Sequence, residues 1–193
     1  AAEQTLYSLA TAGTYEGGFL EFKESIVRAI QVAEAAHKRD GKLAGVSSGF
    51  RDLDRLLGGL HPSDLVILAG RPAMGKTALA TNIAYNAAKD YLEEEGEEGA
   101  VVGFFSLEMS AEQLAARILS EQSNISSDRM RKGELTNEES TRLVQASQIL
   151  HQVPVFIDDT PALTVSALRT RARRLKRQHK LGLIIVDYLQ LIS

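Results

Sequence analysis

One string constrains this chain more than any other: Gly70-Arg71-Pro72-Ala73-Met74-Gly75-Lys76-Thr77. It fits G-x-x-x-x-G-K-[ST], the loop that cradles nucleotide phosphates. Its context fits as well. Asp64-Leu65-Val66-Ile67-Leu68-Ala69 before it is a short apolar run of buried-strand length. Ala78 to Ala88 after it is rich in good helix formers. Strand, glycine loop and helix are what the chemistry needs. Glycines let backbone N–H groups curl inward at phosphate oxygens, and a helix N-terminus adds partial positive charge. Lys76 is placed to reach the β/γ-phosphates and the Thr77 hydroxyl to ligand Mg²⁺. The nucleotide-binding set is Arg71, Pro72, Ala73, Met74, Gly75, Lys76, Thr77 and Ala78.

Composition narrows the partners. The 193 residues carry a net charge of −3, so the chain as a whole is no electrostatic DNA binder. Any nucleic-acid contact has to come from a local patch. Absence of cysteine removes disulfides and thiolate metal sites. His37, His61, His151 and His179 lack metal-ligand spacing. No apolar run is long enough to span a membrane, and no signal peptide opens the chain, so a cytoplasmic protein is expected.

Residues 1–18 are small and polar and read as a linker segment. From Phe19, residues Phe22, Ile26, Ala29, Ile30 and Ala33 recur at helical spacing, which predicts one helix within 19–40. An apolar stripe says that a helix packs, not on what. Its own domain and a neighbouring subunit both satisfy it. Residues 41–193 follow as one α/β domain. Asp52 to Leu57 predicts a short helix closed by Gly58 and Gly59. The acidic run Glu93 to Glu98 predicts a solvated loop. Ala100–Leu107, Val153–Ile157 and Leu183–Val186 are further buried-type strands. Ser110 with Gln113, and Thr136 with Glu139, are capping boxes that start two helices. A basic helix runs from Val165 to about Gln178. It has no interleaved aromatics to stack bases, which favours a solvated face or a subunit contact. The alternation predicts a parallel sheet with helices on both faces.

In such sheets ligands bind at the carboxyl ends of the strands. Glu108, Asp158, Asp159 and Asp187 fall there. An apolar strand closed by Asp187, downstream of the phosphate loop, is the Walker B arrangement. It delivers a carboxylate to the Mg²⁺ side of the phosphates, directly or through a water. Glu108 suits either a group that activates the attacking water or a helix-start acid. Asp158 and Asp159 precede Thr160-Pro161 and read as turn residues.

The succession of strings is more specific than the phosphate loop alone. Gly45-Val46 to Gly49, Leu53-Asp54, Gly59-Leu60, Pro62-Ser63-Asp64-Leu65 and the loop itself resemble the ATPase domain of DnaB-type replicative helicases. So do Phe105-Ser106-Leu107-Glu108-Met109-Ser110, Ile157-Asp158-Asp159, Arg171-Ala172-Arg173-Arg174 and Val186-Asp187-Tyr188-Leu189-Gln190-Leu191. The resemblance implies a RecA-like domain of a homohexameric ring that moves 5′→3′ on single-stranded DNA by hydrolysing ATP with Mg²⁺. It implies Glu108 as the catalytic base, Lys76 as a catalytic contact, and Gln190 as a polar sensor near the γ-phosphate. It implies that the 19–40 helix links to the adjacent subunit, and that primase and a helicase loader are partners.

The family's amino-terminal primase-contacting domain, DNA-contacting loops and arginine finger have no counterpart in this sequence. It therefore reads as a fragment that ends just past the Walker B strand. The expectation is ATP–Mg²⁺ binding with poor hydrolysis and no unwinding, because an arginine finger is worth about 10³–10⁵ in rate. A RecA/RadA-type recombination ATPase and a nucleotide-controlled assembly module are the alternatives. A metabolic kinase would need an acceptor pocket and a lid, and neither has a sign in the sequence.

Overall fold

The computed structural model describes residues 21–37 and 43–189. The chain divides into two units, residues 1–42 and 43–193. The described part of the first is one helix, α1 (Phe22–His37), within the stretch where the stripe predicts it. Phe22, Ile26, Val27 and Ile30 on it are exposed. The linker expected over 1–18 lies outside the described residues.

The second unit contains α2 (Arg51–Leu57), α3 (Lys76–Glu93), β1 (Val102–Ser106), α4 (Ala111–Ser123), α5 (Ser127–Lys132), α6 (Asn137–Leu150), β2 (Val155–Asp158), α7 (Val165–His179) and β3 (Leu183–Asp187). The three strands are parallel in the order β2-β1-β3. Register places Phe105 beside Asp158, and Ser106 beside Asp187. The central strand β1 is buried along its whole length, as its unbroken apolar run requires.

Side chains alternate across β1 and divide the core in two. Val102 and Phe104 pack with Ala84, Ala87, Ala88 and Leu114 of α3 and α4. Phe105 packs with Leu163, Ala172 and Leu181 on the α7 side. Gly103 is glycine because α7 lies close: a Cβ there would come within 3.2 Å of Leu175 and Leu181. Helices therefore cover both faces, as the alternation predicts.

The helix boundaries follow their local chemistry. Both predicted capping boxes form, at Ser110/Gln113 and Thr136/Glu139. Gly58, at φ 71, closes α2 in the left-handed conformation. The short helix α5 has no apolar stripe, and nothing in the sequence predicts it. Ser126 and Gly133 bound it, and Arg129 ties it to Glu139 of α6 through an ion pair.

One expectation fails. Residues 64–69 are not a strand, and no described strand pairs with them. Leu65 is 83% exposed and Ile67 69%. An apolar run specifies burial but not a ladder partner. β1 already has a neighbour on each side, and neither β2 nor β3 has taken this segment up.

Candidate nucleotide site

The phosphate loop leads directly into α3, whose cap is Gly75 at φ 85. No side chain caps this end, so the first-turn N–H groups remain available to an anion. Residues 71–75 are exposed. Ala73 also has positive φ, 63°, so the loop curls through two left-handed residues. The Lys76 ammonium donates to the carbonyls of Gly70 at 2.9 Å and Arg71 at 3.2 Å. That folds the lysine over the concave side of its own loop, where phosphate oxygens would replace the carbonyls.

The other half of the site forms at the ends of β1 and β3. After Glu93 the chain reverses through Gly96 and Gly99, and the Ala100 N–H donates to the Ala87 carbonyl at 2.8 Å. The carboxyl half of α3 thus lies at the start of β1. Nearer its amino end, Ala80 packs against the core cluster of Val102 and Phe104. Asp187 ends β3 and is only 7% exposed. Its Oδ2 is buried with no hydrogen-bond partner. A buried carboxylate oxygen left without a donor is costly, and a hard cation satisfies it. No cluster of three acidic or histidine ligands exists among the described residues. Mg²⁺ needs none, since it keeps several waters and uses one or two carboxylates with substrate phosphates. The residues present therefore fit a nucleotide with Mg²⁺: Thr77 and Asp187 for the ion, and residues 71–78 for the phosphates.

Glu108 stands exposed on the turn between β1 and α4. Three contacts fix that turn. The Leu107 N–H donates to the Asp187 carbonyl at 2.7 Å, joining the Glu108 turn to the end of β3. The Ser106 hydroxyl donates to the Met109 carbonyl at 2.7 Å and accepts from the Met109 N–H at 3.3 Å. The Ser110/Gln113 box then starts α4. The capping box thus sits beside Glu108 and leaves its carboxylate unengaged by the cap. Gln190 lies outside the described residues.

Sequence reasoning missed two groups here. Ser106 is 1% exposed and closes the Glu108 turn, a role only its place at a strand end could have signalled. The Asp158-Asp159 pair does form a turn, since Asp158 accepts from the Thr160 N–H at 3.1 Å. It also does more. Arg171 donates to both Asp158 oxygens, at 2.8 and 2.6 Å, and to the Thr160 hydroxyl at 2.6 Å. Burial by itself would push the Asp158 carboxyl up. Arg171 and Thr160 outweigh it and hold the group below its ordinary range. Asp159 reaches across to α4, where it accepts from the Ala111 N–H at 2.9 Å.

The chain resembles known proteins in sequence and in fold. A family described as DnaB-like helicase C-terminal domain matches residues 45–193. A replicative DNA helicase DnaB of Rickettsia bellii is 50% identical over 99% of this chain and 39% of its own length. One from Geobacillus stearothermophilus is 43% identical over 93% of the chain and 38% of its own length. The chain thus spans about two fifths of these relatives. Among solved structures, one described as an ATPase domain superposes with a TM-score of 0.78 at 27% identity, over 91% of this chain and 60% of that one. A DnaB-like replicative helicase, whose structure addresses its interactions with primase, gives 0.75 at 26%, over 99% and 44%. With its phosphate loop, buried Asp187 and clamped Glu108 turn on a RecA-like sheet, the chain belongs to the DnaB-like helicase C-terminal domain family.

Proposed function

We propose that this chain is the ATP-hydrolysing part of a replicative helicase motor. The observation that carries the reading is the 2.7 Å bond from Leu107 to the Asp187 backbone. It ties the Glu108 turn to the end of the Walker B strand. In this reading residues 71–78 wrap the phosphates of ATP, and Lys76 exchanges its loop carbonyls for β/γ-oxygens. Thr77 and Asp187 would hold Mg²⁺, which would supply neutralisation of the phosphate charge. Glu108 orients the attacking water and takes its proton. Gln190 senses the γ-phosphate. A neighbouring subunit supplies an arginine to the same site, in a homohexamer that encircles single-stranded DNA in the cytoplasm. Primase and a loader are its further partners. The α1 stripe packs on the adjacent subunit.

Two substitutions test the site. Lys76→Ala removes ATP binding, measured by fluorescent-nucleotide titration. Glu108→Gln keeps ATP–Mg²⁺ binding and loses turnover, because the amide retains shape but accepts no proton. Lost binding in Glu108→Gln makes Glu108 structural and sinks the base assignment. In the natural full-length protein, DNA-stimulated ATPase and 5′→3′ strand separation are expected. A protein with neither is a nucleotide-controlled assembly module instead.

A further inference from the structure

The Glu108 turn has one anchor that the Walker elements do not supply. Ala111 is the first residue of α4, and its N–H is one of the orphan donors that every helix start leaves. The capping box uses the N–H groups of Ser110 and Gln113 and leaves that of Ala111. Asp159, 48 residues away in sequence, accepts it. Asp159 is itself well placed to hold still. It follows β2 directly, and β2 is in register with β1. Its neighbour Asp158 is held by the Thr160 N–H and by Nη1 of Arg171. A rigid corner of the sheet edge thus grips the α4 side of the turn, while the Asp187 carbonyl grips the β1 side. Glu108 lies between the two grips.

We propose that Asp159 is a positioning residue for the hydrolytic step, holding the Glu108 turn through the first N–H of α4. The inference rests on Glu108 acting as the base. Stability gives Asp159 only a small role, since an exposed carboxylate at a helix start is worth about 0.3–1 kcal/mol. Its side chain is exposed, and water would satisfy the Ala111 donor if the carboxylate were removed. Orientation is different, because a catalytic group displaced by about 1 Å costs on the order of 10²-fold in rate. Loss of Asp159 should therefore appear in kcat and hardly at all in folding or nucleotide affinity.

The test uses the natural full-length protein with ATP, Mg²⁺ and single-stranded DNA. Asp159→Ala is expected to lower kcat by about tenfold to a hundredfold, the scale of such misplacement, with KM and thermal midpoint nearly unchanged. Asp159→Asn keeps an acceptor oxygen of the same reach and is expected to restore most of the rate. Single-turnover phosphate release resolves the slow residual rate of Glu108→Gln. In that background, adding Asp159→Ala should cost nothing further, because there is no base left to orient. An unchanged kcat in Asp159→Ala overturns the inference. So does the same fold-loss with and without Glu108, or a variant that fails to fold. Natural turnover in Glu108→Gln would instead sink the base assignment, and the inference with it.

Discussion

Ala73 shows how a single residue can record what a loop has to do. It sits inside the phosphate cradle at φ 63, a region that L side chains other than Asn and Asp seldom occupy. The left-handed conformation costs an L residue about 1–2 kcal/mol. Replacement by glycine removes that cost but adds about 0.4–1 kcal/mol of unfolded-chain entropy. The difference favours glycine by about 0–1.6 kcal/mol, so Ala73→Gly should raise the thermal midpoint by at most a few degrees and preserve ATP affinity. A β-branched residue has no such compensation at positive φ. Ala73→Val should lose about 1–3 kcal/mol of loop stability and weaken ATP binding in proportion, read by nucleotide titration. Equal affinity in the two variants would show that the loop does not keep this conformation when it binds.

At the scale of elements, the tether between β2 and α7 governs behaviour in acid. The Asp158 carboxyl is held below its ordinary value of 3.8. Its pairing with Arg171 therefore stabilises the fold fully above that value and is lost as pH falls through the lower folded value. Arg171→Ala should lower the thermal midpoint at neutral pH by an amount that shrinks towards zero well below pH 3.8. Arg171 is 43% exposed, so solvent screening keeps the effect to about 1 kcal/mol. A difference that persists unchanged in strong acid would assign it to the arginine's packed stem. The tether also shows what a sequence conveys. Capping boxes are legible because Ser110/Gln113 and Thr136/Glu139 satisfy their own helix ends within four residues. β1, β2 and β3 are legible from short apolar runs. The 64–69 segment misleads because a strand exists only with a partner, and no run of residues names its partner. Arg171 and Asp159 are illegible for the same reason: their bonds span 13 and 48 residues. Lys76, Glu108 and Asp187 stand out because each sits at a fixed offset from a loop or a strand end.

For the whole molecule, the exposed apolar stripe of α1 bears on association. Phe22 is 79% exposed, Ile30 53%, Val27 50% and Ile26 43%. Burying one such side chain gains about 1.5–3 kcal/mol, whereas bringing two molecules together costs about 4–15 kcal/mol. One helix stripe therefore supports association only weakly, and a ligand shared across the interface would be needed to hold a ring. Light scattering on this chain should show a mass that rises with concentration and rises further with ATP–Mg²⁺. The exposed Leu65 and Ile67 offer a second apolar surface, so mass alone does not identify the contact. Joint replacement Ile26→Asp and Ile30→Asp separates the two. If α1 docks on a neighbour, the double variant stays monomeric and the nucleotide-dependent increase disappears, while ATP affinity at Lys76 is kept. If the variant associates as the natural chain does, α1 is not the contact, and the surface around residues 65–68 becomes the one to disrupt.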